Sequence, residues 1–293
     1  MKKRSNFLIF GEDPIFLLRG GIGNQLFIYS AAIRLGQIHA FTPVFQTLGI
    51  DHKECISELG IPGNFMSTRN SWLYSLDRKI NQSFSKRRLI DFSDLATTHM
   101  KNLTIGKKTY VSGYFQTADF AVDLKNSGYF DDYISKEPTI LLKRKYEEIR
   151  DLNSTIIHLR FGDYLKASST LGNLTVDYYN QIIESDPEIR ENPVYLMTDD
   201  PSSARLFVRD FPKLNLSFLD KFKGVKAIEQ IKLFGAANRI ICANSTYSWW
   251  GAFLSVTTKK IWAPNPWFKD PKLADHAAGI YPPTFVQFPS QWK

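Results

Sequence analysis

Arg160 ends an apolar run, STIIHLRF, and a glycine and an acid follow almost at once in FGDYL. A guanidinium in that place can grip a phosphate, because it is permanently charged and offers paired N–H donors to two oxygens. Alternation along the run turns His158 to the same side as Arg160, and Gly162 starts the turn. Taken alone, Arg160 could equally form a structural ion pair with Asp163.

Three further segments carry chemistry-bearing residues. RGGIGNQLFIYSAAIRLG places Gly20, Gly21, Gly23, Asn24 and Gln25 before a helical run. Glycines let the backbone approach a ligand, and the helix start aims unpaired N–H groups and a partial positive charge at it. As a dinucleotide fingerprint the segment fails, since Leu26 stands where a third glycine is needed; a bare turn is the alternative. ANSTYSWWGAFL supplies Asn244, Ser245, Thr246 and Ser248, either as an anion-binding helix start or as a plain cap ahead of the core aromatics Trp249 and Trp250. YLMTDDPSSA ends a strand with Asp199 and Asp200, which can cap the next helix or receive guanine N–H groups or a ribose hydroxyl. No Walker A lysine motif, H-E-x-x-H, G-x-S-x-G or D-x-D occurs, which argues against an ATPase, a zinc protease, an α/β-hydrolase and a metal-dependent nucleotide-sugar enzyme.

The elements that must hold these residues follow from periodicity. Ile15 to Leu18 reads as a strand, followed by the glycine turn and a helix with Leu26, Tyr29, Ile33 and Leu35 near helical spacing. Residues 55–100 turn polar and basic without a clear period, as an insertion of short helices and loops would. After LLKRKYEEIRDLNS, apolar strands alternate with helices to the end, which predicts a doubly wound parallel α/β domain over 151–293, with 1–150 as a separate N-terminal α/β domain. The 293 residues carry a net charge of +8, suited to an anionic partner. The densest basic cluster, Lys86, Arg87 and Arg88, comes without a nucleic-acid motif and reads as a solvated or membrane-facing surface, and no nucleic acid is expected as a partner. No apolar stretch is long enough to span a bilayer, so a cytoplasmic protein is expected. Cys55 and Cys242, far apart in apolar surroundings, read as buried free thiols.

Together and in this order, the segments resemble the α-1,2-fucosyltransferases of glycosyltransferase family 11. The matching landmarks are GGIGNQLFIY from Gly20 to Tyr29, GYFQ from Gly113 to Gln116, HLRFGDY from His158 to Tyr164, TDDP from Thr198 to Pro201, and NSTYSWWGA from Asn244 to Ala252. Three departures stand out: Phe161 where the family often has a second arginine, Thr117, Ala118 and Asp119 where it continues with serine and an acid, and a longer N-terminus.

The resemblance implies a GT-B-like fold, with two Rossmann-like α/β domains facing a cleft, and inverting, metal-independent transfer of L-fucose from GDP-fucose to the 2-hydroxyl of a terminal galactose. It implies that Arg160 neutralises the diphosphate, that Asn244, Ser245, Thr246 and Ser248 bind it, and that His158 with Asp199 or Asp200 reads guanine. Gly21, Gly23, Asn24 and Gln25 would contact the donor from the other domain, and Tyr114 and Gln116 would lie on the acceptor side. The base for the acceptor hydroxyl stays open between Asp163 and Asp119. A galactose-terminated bacterial surface glycan, lipid-linked in one version, is the expected acceptor, and the basic, aromatic 70–90 segment would then touch the anionic inner membrane face. The competing readings are a same-fold transferase for another nucleotide sugar and a non-catalytic binder of glycans or nucleic acid.

Overall fold

The computed structural model describes residues 11–46, 55–79, 86–93, 102–165, 167–219, 222 and 225–293. It divides into two compact units, Met1–Tyr129 and Phe130–Lys293. Both are parallel-sheet α/β units, as expected for a GT-B-like chain. The division comes earlier than the sequence boundary near residue 150, and packing is the reason. Phe130 meets Trp250 edge-on at 5.6 Å, and the hydroxyl of Tyr133 donates to the carbonyl of Ile228 at 3.3 Å. The charged helix Ile140–Asp151 buries Leu142 and Ile149 as part of the second unit.

In the first unit, β1 (Ile15–Leu17), β2 (Val44–Gln46), β3 (Asn64–Phe65), β4 (Arg88–Asp91) and β5 (Thr109–Ser112) form one parallel sheet in the order β3-β2-β1-β5-β4. The central strands β1 and β5 are buried throughout, as strands covered on both faces must be. Helix Ile22–His39 follows β1. The 55–100 stretch is more than an insertion: it supplies both edge strands, β3 and β4, and the helix Thr68–Lys79. A two-residue strand and a mostly exposed edge strand have no period for a sequence to display. That helix covers one face of the sheet, with Tyr74 joining Ile15, Leu17 and Tyr110 in a core cluster.

The second unit places β6 (Thr155–Leu159), β7 (Val194–Thr198), β8 (Leu216–Phe218), β9 (Arg239–Ile241), β10 (Lys260–Asn265) and β11 (Val286–Pro289) in the order β11-β10-β9-β6-β7-β8. Counted within the unit, that is 6-5-4-1-2-3, a doubly wound sheet whose order reverses between β6 and β9. The core gathers Ile157, Leu159, Leu196, Ile241 and the helix Val176–Ser185, whose Tyr178, Tyr179, Ile182 and Ile183 share one buried face. Two buried phenols of that helix fix the strand ends: Tyr179 donates to the carbonyl of His158 at 3.1 Å and Tyr178 to that of Cys242 at 3.0 Å. Among the described residues no helix is long and apolar enough to cross a membrane.

The basic triplet does not form one surface. Lys86 and Arg88 are exposed, whereas Arg87 is buried, its guanidinium donating to the carbonyls of Asp13 at 2.7 Å and of Gly11, and lying 5.5 Å from the ring of Tyr74. A buried cation needs such partners, and the first unit supplies them.

Candidate active site

Parallel α/β sheets bind ligands beyond the carboxyl ends of their strands, where the strand order reverses. In the second unit that point lies between β6 and β9, and the sequence candidates gather there. Arg160 follows β6 directly and pairs with Asp199, at the end of the neighbouring β7, at 2.9 Å. The other carboxylate oxygen of Asp199 accepts the Phe161 N–H at 3.0 Å. Asp199 therefore orients Arg160. A Cβ at Gly162 would run into that carboxylate, which explains a glycine at this position. The guanidinium also lies 5.2 Å from the ring of Tyr164, whose hydroxyl donates to the carbonyl of Asn244 at 2.8 Å. That bond ties the end of β6 to the turn after β9. Asp163 occupies the short helix Gly162–Leu165, and its side chain lies outside the described residues.

The turn after β9 leads into helix Thr246–Phe253, with Ser245 as its N-cap residue and no side-chain cap bond. Helix-start N–H groups left uncapped by a side chain can receive an anion. Asn244 and Ser248 face inward. The amide of Asn244 donates to the carbonyls of Leu171 at 3.0 Å and Gly172 at 3.3 Å, and the buried hydroxyl of Ser248 donates to the carbonyl of Ser245 at 3.1 Å. They shape the turn; Ser245 is buried beside them, and Thr246 is the part-exposed hydroxyl of the helix start. Gly251 fits the same logic, since a Cβ there would strike the ring of Phe234.

His158 is 3% exposed, its ring lying 5.8 Å from that of Tyr247 and 6.1 Å from that of Phe234. Burial, and secondarily the charge of Arg160, push its pKa down to about 3, so the imidazole is neutral. Its Nδ1 has no hydrogen-bond partner among the described residues. Asp200 is a helix cap: its carboxylate accepts the N–H groups of Ser202 at 3.0 Å and Ser203 at 3.1 Å and the Ser203 hydroxyl at 2.7 Å. These bonds, that of the Ser203 hydroxyl foremost, hold its pKa below the usual carboxylate range.

The first unit brings its own two motifs together where β1 and β5 adjoin. Asn24 accepts a bond from the side chain of Gln116 at 2.9 Å, joining the glycine turn to the GYFQ segment. Gly20 takes a φ of +65°, and a Cβ there would meet the Asn24 amide at 2.5 Å. Gly21 is the exposed N-cap of helix Ile22–His39, and Gly23 lies buried in its first turn. Gln25 is buried and props the turn from beneath, donating to the carbonyl of Gly20 at 2.9 Å and accepting the N–H of Cys55 at 3.1 Å. Asp119 is exposed in the first turn of helix Ala118–Asn126. Sequence reasoning passed over Arg19, which donates to Ser112 at 3.3 Å and lies 5.5 Å from the ring of Tyr114. Its signal was available: an arginine at the end of the first strand, as in HLRFG. Among the described residues, no three of His, Cys, Asp and Glu come together as a metal site.

Residues 67–286 match the profile of Glycosyl transferase family 11. The chain belongs to this family. As a family 11 glycosyltransferase it shares 34% identity over 121 residues with the O-antigen biosynthesis glycosyltransferase WbnK of Escherichia coli, covering 40% of this chain and 39% of WbnK. It shares 24% over 277 residues with an alpha-1,2-colitosyltransferase of Escherichia coli, covering 87% of this chain and 92% of that protein. Among solved structures it is similar to the fucosyltransferase NodZ from Bradyrhizobium, with TM-score 0.46, 14% identity, and coverage of 84% of this chain and 94% of that one. A family 9 glycosyl transferase from Veillonella parvula gives TM-score 0.47 at 12% identity, over 94% and 86% of the two chains. The glycine turn of residues 20–25 precedes the stretch that matches the family profile.

Proposed function

We propose that this family 11 transferase moves L-fucose from GDP-fucose to the 2-hydroxyl of a terminal galactose on a surface glycan precursor, with inversion and without a metal. The observation that carries the reading is the convergence, at the reversal point of the second sheet, of the Arg160 guanidinium and the helix start at Ser245 and Thr246. Breaking the bond between sugar and GDP leaves negative charge on the departing β-phosphate, and fixed positive groups aimed at that charge lower the barrier. Arg160 supplies a full charge already held in place by Asp199, and the helix start adds N–H donors that need no reorganisation. The dry, neutral imidazole of His158 fits a hydrogen bond to guanine better than a charge–charge contact. Asp199 and Asp200 act indirectly, one by orienting Arg160 and the other by fixing the turn. Gly21, Gly23, Asn24 and Gln25 shape a sugar-binding turn in the first unit, with Tyr114 and Gln116 at the acceptor, and Asp163 is the proposed base.

The motif resemblance favours fucose, and the relative named an alpha-1,2-colitosyltransferase favours a second reading, in which colitose is the transferred sugar. Incubation with GDP-fucose or GDP-colitose and a panel of β-galactosides, followed by linkage analysis, decides between them; product with neither donor would sink both. Calorimetry with GDP, UDP and ADP tests the nucleotide, GDP being expected to bind most tightly. Turnover unchanged by EDTA is expected, and a loss that Mg²⁺ or Mn²⁺ restores would overturn the metal-free mechanism.

A further inference from the structure

The helix Thr68–Lys79 buries Ser71, Tyr74 and Asp77 and exposes Trp72, Leu76 and Lys79. Tyr74 and Asp77 turn toward the sheet, where Asp77 accepts the Tyr110 hydroxyl at 2.9 Å. Trp72, Leu76 and Lys79, spaced four and then three residues apart, share the opposite side. Trp72 is 58% exposed and Leu76 40%. Since Asp77 is the helix's sole carboxylate and is buried, no negative charge of its own faces outward.

The edge strand β4 extends this face. Leu89 pairs in register with Tyr110, so its side chain leaves the sheet on the side where Tyr110 meets Tyr74, and it is 46% exposed. Lys86 is exposed at the same edge, whereas Arg88, next to Leu89 in the strand, leaves the sheet on the other side, and Asp91 at the strand's far end is its exposed acid. Charge is concentrated in this unit: residues 1–129 hold 16 Lys and Arg against 10 Asp and Glu, while residues 130–293 hold 21 against 19. The other exposed apolar pair, Ile140 and Leu141, lacks this setting, because its helix mixes Lys143 and Arg144 with Glu147 and Glu148.

An exposed tryptophan and leucines with Lys79 and Lys86 beside them, and with the helix's acid turned inward, match the boundary of an anionic bilayer. We propose that the Trp72–Leu76–Leu89 face docks on anionic lipid, the apolar side chains entering the headgroup layer and Lys79 and Lys86 meeting lipid phosphates. This docking is independent of which sugar the chain transfers.

Flotation of the full chain with vesicles of phosphatidylcholine alone, or mixed with phosphatidylglycerol, tests it. The chain should rise with the anionic vesicles, stay behind with the neutral ones, and be released as salt is raised. Trp72→Ser with Leu76→Ser should lower partitioning about tenfold or more, the loss of a few inserted CH₂ groups. Lys79→Glu with Lys86→Glu should lower it about fivefold for each basic group removed. Ile140→Ser, at an 89% exposed site on the second unit, should change nothing. These side chains are exposed, so unchanged circular dichroism is expected of each variant. Absence of flotation with anionic vesicles, equal flotation with neutral ones, or full binding by the Trp72/Leu76 variant each overturns the proposal, and a protein partner then becomes the occupant to seek.

Discussion

The two units close their sheets with the same residue type and different chemistry. At the amino edge of the second sheet, Arg239 starts β9 and is 3% exposed, with Asp186 at 3.4 Å and Glu188 as ionic partners, while Lys260 also reaches Asp186 at 2.9 Å. At the amino edge of the first sheet, Arg87 is equally buried but faces backbone carbonyls and the rings of Tyr74 and Tyr110. The carboxyl edges can be set side by side as well. Each first strand leads to an arginine beside a tyrosine ring: Arg160 is ion-paired to Asp199, and Arg19 donates to the hydroxyl of Ser112 and interacts electrostatically with Asp91. A carboxylate partner fixes a guanidinium in one direction. Arg160 is thus a defined charge at a defined place in the second unit.

Breaking the buried pair should have the largest effect. Asp186→Asn leaves Arg239 and Lys260 short of their shared anion, and removing one partner of a buried pair costs about 3–5 kcal/mol. The midpoint of denaturant unfolding should fall accordingly. Arg87→Met keeps an apolar stem among the rings and should cost less than Asp186→Asn; equal losses would erase the distinction between the units.

At the carboxyl edges the comparison turns catalytic. Arg160→Ala should cost roughly 3 kcal/mol of transition-state stabilisation, read as a fall of a hundredfold or more in kcat/KM. Arg19→Ala should cost less than tenfold, as expected for a group that shapes its surroundings. Near-normal turnover in the Arg160 variant would refute the proposed mechanism.

Much of this contrast was legible in the sequence, and the remainder has identifiable causes. The second sheet announces itself through long apolar strands, each ending in polar residues, and HLRFGD, TDDP and NSTYSWW meet as their positions predict. Asp199 as the partner of Arg160 was hidden because the pairing crosses from β6 to β7, whereas Asp163 was the nearer acid in sequence. The inward turn of Asn244, Ser248 and Gln25 was equally invisible, since a polar residue in a ligand-binding turn and one that props the turn have the same type and spacing. In the first unit β3 and β4 are short edge strands and carry no period. Arg87 sat in a run that looked like surface charge, and only tertiary carbonyls and rings reveal it as internal.

Acid should separate the units next. His158 in β6 is held neutral with a pKa of about 3, far below the ordinary value of 6.5, chiefly by burial. The unfolded chain takes up that proton below about pH 6.5 while the folded chain does not, so the stabilisation is complete above that pH and is lost as pH falls toward 3. Near pH 5 the loss should be about 2 kcal/mol, and the second unit should yield to denaturant first. His158→Gln, which cannot charge, should flatten this dependence. An unchanged slope between pH 7 and pH 5 in that variant would assign the acid sensitivity elsewhere.

The smallest effect concerns the thiols, one in each unit. Both were expected to be buried, but Cys55 is half-buried whereas Cys242 is wholly enclosed. Burial pushes the Cys242 thiol up to about 12 and outweighs the lowering effect of the Ser248 side chain. Because the thiolate is the reactive form, Cys242 should resist iodoacetamide in the native protein near pH 8. Cys55 should react slowly, since its thiol is shielded in part by Gln25 Oε1 at 3.5 Å. Mass spectrometry after native labelling should therefore give one modified cysteine, located in the first unit, and two only after denaturation. Label on Cys242 in the native chain would mean that the turn after β9 opens, which the Asn244 and Tyr164 bonds are there to prevent.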